Sequence, residues 1–136
     1  MGIFDFLDFL KKKDKDSTKP FSITTKLHPY RLNAYKNEIV DLIVTITNND
    51  SKPNMVSVVA KCPQKLGFGS IGINKSDQKK IGNMEPGEEK TVIFKIHGNS
   101  NTEANDYPIG IMVYSHFRDY EHVENAVRKI ITLRAV

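Results

Sequence analysis

The pair Pro86-Gly87 constrains this chain more tightly than any other feature of it. It stands in Asn83-Met84-Glu85-Pro86-Gly87-Glu88-Glu89-Lys90 and runs directly into Thr91-Val92-Ile93-Phe94-Lys95-Ile96. Proline presets φ at the first central position of a turn, and glycine takes the positive φ that a type II turn needs at the second. The residues that follow alternate with a period of two and are rich in β-branched and aromatic types, the pattern of a half-buried strand. A tight turn feeding such a strand points to an all-β architecture of short strands in a sandwich.

About seven strands are expected. In 21–28, Phe21, Ile23 and Leu27 alternate with Ser22, Thr24 and Lys26. In 39–48, Val40, Leu42, Val44 and Ile46 face inward, and Asn48-Asn49-Asp50-Ser51 ends the run. In 55–62 the inward set is Val56, Val58, Ala60 and Cys62, closed by Pro63, which has no N–H to give a ladder. A weak strand near 79–83 precedes the Pro-Gly turn. The strand after it, 90–97, turns Val92, Phe94 and Ile96 inward. The last two strands, 107–117 and 123–134, flank Arg118-Asp119-Tyr120-Glu121, a hairpin loop. Short strands punctuated by turn signals at this spacing are those of a sandwich.

Ahead of these strands, residues 1–13 carry a helical pattern. At 100° per residue Ile3, Phe6, Leu7 and Leu10 share one face, Asp5, Asp8 and Lys12 the other, with Phe4 and Phe9 at the edges. Acidic residues early and lysines late suit the helix dipole, and Asp8 with Lys12 forms an i,i+4 pair. A helix this short is marginal in water and needs a surface to lie on. Residues 14–20, charged and ending in Pro20, read as a linker, so the β-domain is expected over 21–136.

The chain has 136 residues, enough for one domain and a tail that folds without a covalent staple. Its lone cysteine, Cys62, forms no internal disulfide and fits a reducing compartment. The formal charge of +4 comes from 20 basic and 16 acidic residues scattered along the chain, which gives nucleic-acid binding no support. No window of about 20 apolar residues exists to cross a membrane as a helix. The first apolar stretch precedes its lysines and is broken by Asp5 and Asp8, the wrong order for a secretory signal. Phe6 stands where a myristoylation site needs Ser or Thr. The expectation is a cytoplasmic protein, with peripheral contact at the membrane as the alternative and the cell surface disfavoured.

Catalytic motifs are missing from the sequence: no Gly-x-Ser-x-Gly, His-Glu-x-x-His, P-loop or Cys-x-x-Cys. Gly67-Phe68-Gly69-Ser70-Ile71-Gly72 spells G-x-G-x-x-G, but too few residues follow it for the crossover helix that dinucleotide binding requires. It reads as a flexible loop, and 66–73 as a place where a loop-borne ligand would bind. His116 and His122, with Asp119 and Glu121 between them, are metal-ligating types, but no spacing fixes a third ligand. Cys62 falls on an inward face with no base beside it, the signature of a buried structural thiol. No cofactor, metal or catalytic residue is expected.

Val40-Asp41-Leu42-Ile43-Val44-Thr45-Ile46-Thr47-Asn48-Asn49, the Met84-Glu85-Pro86-Gly87-Glu88 turn, Val92-Ile93-Phe94 and Tyr107-Pro108-Ile109-Gly110-Ile111 together resemble the CARDB-like branch of immunoglobulin and fibronectin-III-like domains. The resemblance spans most of 21–136 and implies an adhesion or spacer module with no shared catalytic residues. It also implies that the strands holding Ile43 and Ile93 are neighbours. Ile43, Val59 and Ile93 point outward, so an apolar patch is expected at Ile43 and Ile93, with the N-terminal helix to cover it.

The functional expectation is a non-catalytic module that binds an unidentified protein or a second copy of itself. The alternative is a peripheral membrane protein attached through the N-terminal helix. The contact residues expected for either are Ile3, Phe4, Phe6, Leu7, Phe9 and Leu10 with Ile43 and Ile93. Phe4, Phe6 and Phe9 would enter the bilayer interface while Lys11, Lys12, Lys13 and Lys15 meet anionic head groups.

Overall fold

A computed structural model describes residues 20–136. The predicted helix over 1–13 and linker residues 14–19 lie outside the described residues, as do Ile3, Phe4, Phe6, Leu7, Phe9 and Leu10. Within them the chain is all-β, with eight strands and no helix. The strands are β1 (Phe21–His28), β2 (Arg31–Leu32), β3 (Ile39–Asn48), β4 (Asn54–Lys61), β5 (Ser76–Met84), β6 (Glu89–His97), β7 (Asn105–His116) and β8 (Val123–Ala135). They form a three-stranded sheet, β1-β3-β6, and a five-stranded sheet, β2-β8-β7-β4-β5.

The strand missed by periodicity is β2. Its two residues pair parallel with Arg134 and Ala135, about a hundred positions away, and a two-residue partner carries no repeat to detect. All other neighbouring strands are antiparallel. The weak strand expected near 79–83 is longer, because Ser76–Met84 is a polar edge whose pairing with β4 is interrupted beside Gly82. Edge strands are blunted in this way by lysines and irregular pairing, here Lys79, Lys80 and the register shift at Val56/Ser57.

The core is the set of inward residues the alternation predicts. Val40, Leu42, Val44 and Ile46 of β3, Val56, Val58 and Ala60 of β4, and Ile109, Ile111 and Val113 of β7 are fully buried. Phe68, from the loop after β4, packs edge-on against Phe94 of β6 with centroids 6.2 Å apart. That favoured aromatic geometry ties the loop into the space between the sheets.

The Pro-Gly turn forms as read: Gly87 has φ of 79° and the Glu88 amide donates to the Glu85 carbonyl at 3.0 Å. It is also clamped from outside. The Gly87 amide donates to the Asn48 carbonyl at 2.7 Å and the Asn48 amide to the Glu88 carbonyl at 3.0 Å. The Asn48 side chain is wholly buried and fully used. Its Nδ2 donates to the carbonyls of Lys52 and Met84, and its Oδ1 accepts from the Asp50 amide and from Asn54 Nδ2. Asn48 therefore ends β3, shapes the turn into β4 and anchors the β5–β6 turn at once.

Candidate functional site

Strand pairing brings the two expected patch residues together. Ile43 of β3 lies directly across from Ile93 of β6. The surface around them is less apolar than expected, because their rows are flanked by polar pairs. Lys95 bonds Asp41 at 2.9 Å, Thr45 and Thr91 share a hydrogen bond of 3.0 Å, and Thr47 reaches Glu89 at 3.4 Å. Cross-strand pairs of this kind stabilise the sheet in water. Ile43 is half-buried and Ile93 is 47% exposed.

The glycine-rich segment is a pinned loop rather than a flexible one. Gly67 exchanges two backbone bonds with His97, and Phe68 exchanges two with Asn74. Leu66 and Phe68 are buried. A Cβ at Gly67 would lie 1.8 Å from the Gly72 carbonyl oxygen, so the first glycine serves close backbone approach inside the loop. With a strand following the loop, the geometry for holding a pyrophosphate at a helix N-terminus does not arise.

His116 and His122 go to different environments. His122 pairs through Nδ1 with Asp119 at 2.6 Å, which holds the Asp119 carboxyl below its usual range. His116 is 5% exposed, and its Nε2 lies 2.7 Å from the hydroxyl of fully buried Ser57. Its Nδ1 has no partner among the described residues. Burial pushes the His116 imidazole below its ordinary pKa, against weaker opposing effects of the His122 backbone and the Asp119 charge. Tyr120 folds back from the hairpin to meet His116 edge-on, centroids 5.1 Å apart, and Lys80 lies 5.1 Å from the Tyr120 ring centroid. Among the described residues no group of three or more His, Cys, Asp or Glu converges on a point where an ion could sit. Cys62 is buried, and burial raises its thiol to about 12 despite the opposing charge of Lys75, so it is held as a thiol and not a nucleophilic thiolate.

The concave feature sequence reasoning missed is a cleft of about 440 Å³ at one pole of the sandwich, lined by Pro29, Tyr30, Arg31, Asn33, Glu38 and Ile39. It forms where the β1–β2 connection meets the turn into β3. Tyr30 is 72% exposed, as is Tyr35 at 62% five positions on, and the Arg31 guanidinium lies 5.5 Å from the Tyr30 ring centroid. The floor is fixed by backbone bonds. The Ala34 amide donates to the Val136 carbonyl, the Tyr35 amide to the Thr102 carbonyl and the Gly98 amide to the Glu38 carbonyl. Asn33 donates from its side chain and its amide to the two oxygens of Glu38, which holds that exposed carboxyl below its usual range and keeps it ionised. Chemically the cleft offers an aromatic face, one guanidinium, one oriented carboxylate and an aliphatic edge. The available signal was two tyrosines around an arginine in a non-strand segment, a composition enriched at interface hot spots.

No protein-family model matches the chain. An uncharacterised protein of Methanocaldococcus jannaschii is 32% identical over 75 residues, which are 54% of this chain and 14% of that protein. The chain thus spans about a seventh of the length of the curated relative it matches. Among solved structures, a Salmonella alpha-2-macroglobulin variant superposes with a TM-score of 0.64 at 14% identity, over 86% of this chain and 7% of that one. A FixG-related protein from Vibrio parahaemolyticus gives 0.55 at 9% identity, over 87% of this chain and 98% of that one. A chain of the human seminal-plasma complex of zinc 2-glycoprotein and prolactin inducible protein gives 0.56 at 14%, over 90% and 100%. At these identities the likeness speaks to architecture alone: the chain is an immunoglobulin-like β-sandwich of the type found in those proteins.

Proposed function

We propose that this chain is a CARDB-like module of the immunoglobulin fold that binds another protein and performs no covalent chemistry on it. The cleft carries this reading: Tyr30, Arg31 and Ile39 form an exposed aromatic, cationic and aliphatic cluster on a backbone fixed by hydrogen bonds. Preorganised Tyr and Arg side chains lose little on binding and dominate the energetics of many interfaces. The reactive side chains elsewhere support the non-catalytic part, since Ser57 and His116 are buried against each other and Cys62 is a buried thiol. A lone thiol fits a reducing compartment, and we place the module in the cytoplasm.

The test is affinity for a partner captured by photo-crosslinking and then purified. Tyr30→Ala with Arg31→Glu is expected to weaken binding by about 30-fold, as loss of a hot spot of roughly 2 kcal/mol does. Thermal stability should stay unchanged, because both side chains are exposed. Unchanged affinity, or turnover of a small molecule by the purified protein, would overturn the reading. A second reading, attachment to a membrane surface, is favoured by Phe4, Phe6 and Phe9 standing next to Lys11, Lys12, Lys13 and Lys15. Flotation of the full chain with vesicles of anionic phospholipid, lost in Phe4→Ser with Phe6→Ser, would support it. Failure to float would dismiss it.

A further inference from the structure

The outer faces of the two sheets are hidden to different degrees. On the three-stranded sheet the outward isoleucines stand open, with Ile39 and Ile93 close to half exposed. On the five-stranded sheet, register puts Val59, Met112 and Arg128 side by side in one outward row. Ser57 and Tyr114 flank that row on one side, and Lys61 and Ile130 on the other. Among the described residues no third layer lies over this face; only Tyr120 reaches back across one end of it. Arg128 is 9% exposed and Val59 and Met112 are half-buried, while Ile130 at the edge of the row is 40% exposed; burial raises the Tyr114 phenol above its ordinary pKa. A guanidinium on the solvent side of a two-layer sandwich is ordinarily far more exposed than this. These positions are hidden although no described strand lies over them, which leaves room for a cover.

We propose that the cover is the chain's own segment from Ile3 to Leu10, docked on the outer face of the five-stranded sheet rather than on Ile43 and Ile93. Three observations point to this occupant. Ile3, Phe6, Leu7 and Leu10 supply an apolar set that recurs on one side at helical spacing, and Val59, Met112 and Ile130 supply its counterpart. Charge is complementary: the first ten residues contain Asp5 and Asp8 and no lysine or arginine, whereas the charged residues around the covered row are Lys61, Lys80 and Arg128. The chain also reaches. Lys129 Nζ donates to the Ile23 carbonyl at 3.2 Å, which sets the start of β1 beside the stretch of β8 that carries Arg128. From β8 to β4 is two strand spacings, about 10 Å. The six residues 14–19 span up to roughly 20 Å when extended. The face and the segment then form a single interaction in cis, independent of the cleft, and a membrane or a second copy can take the segment only in competition with it.

The experiment is methyl NMR on the full chain with 13C-labelled methionine methyls. Met112 lies in the covered row and Met84 in the core, so the second reports whether the fold is intact. Contacts are expected between the Met112 methyl and the Phe6 ring, unchanged on dilution. Phe6→Ser with Leu7→Ser is expected to abolish them and shift Met112 while leaving Met84 in place. Absence of these contacts with an unmoved Met112 in the variant overturns the proposal. So do contacts seen only between differently labelled copies, which assign the face to self-association. A Met112 shift that appears only with anionic phospholipid vesicles overturns it too, by giving the segment to the bilayer. Tyr30→Ala with Arg31→Glu leaves these signals unmoved, so the outcome is separable from that of the cleft.

Discussion

Asn48 shows how much of a fold can rest on one amide. Every donor and acceptor of its side chain is used, and its partners belong to the β3–β4 turn and to the end of β5. Asn48→Ala leaves the buried carbonyl of Met84 and the part-buried one of Lys52 without that donor, and the expected cost is about 3 kcal/mol, read as a lower denaturation midpoint with an unchanged slope. The sequence marks Asn48 only as the start of a polar turn. Its reach to a carbonyl 36 positions away depends on how two turns meet in space, which no local spacing encodes. Cys62 was more legible: its place in an inward alternation predicts burial, and burial raises its thiol to about 12. In native protein at pH 8 it is expected to resist alkylation and to react fully once denaturant is added. Rapid modification of the native chain would contradict this.

At the scale of elements, strands are clearly readable where one face is dry and the other wet, and only faintly or not at all elsewhere. β3 has a strict alternation because it is the central strand of its sheet with one face on the core, and its predicted and observed limits coincide. β5 lies at an edge with mixed exposure, and its polar sequence marks only a weak strand near 79–83, hiding both of its ends. The glycine-rich loop misled for a different reason. Its glycines suggest freedom, but Gly67 is required because another part of the same loop presses on it. Gly67→Ala must displace the Gly72 carbonyl or unpin the loop from His97, and is expected to cost about 3 kcal/mol, at the upper end for overpacking. A thermal melt checks it; a variant as stable as the parent would mean the loop has room it does not show. The exposed tyrosine of the cleft was invisible to alternation, since it lies between strands and packs against nothing that repeats.

On the scale of the whole molecule, the two sheets close over a dry core, but a histidine is sealed into the surface beside it. The surroundings of His116 are Ser57 on β4, Tyr114 on its own strand, Asp119 and Tyr120 in the hairpin, and Lys80 behind Tyr120. Burial disfavours its charged form in the fold, whereas in the unfolded chain it takes up a proton below about 6.5. Unfolded protein therefore binds more protons below that pH, and stability is lost as pH falls from about 6.5 downward. The melting temperature should be flat from pH 7 to 8 and decline below 6.5, with part of that decline removed in His116→Phe; an identical slope in the variant would contradict the assignment. β1 begins at the Asn48 pole, while β8 ends at the opposite pole beside Leu32. Where the domain is strung in a longer polypeptide under tension, force enters at Phe21 and leaves near Ala135, along the strands. The eight paired positions of β1 and β3 are then loaded in shear together rather than unzipped one at a time.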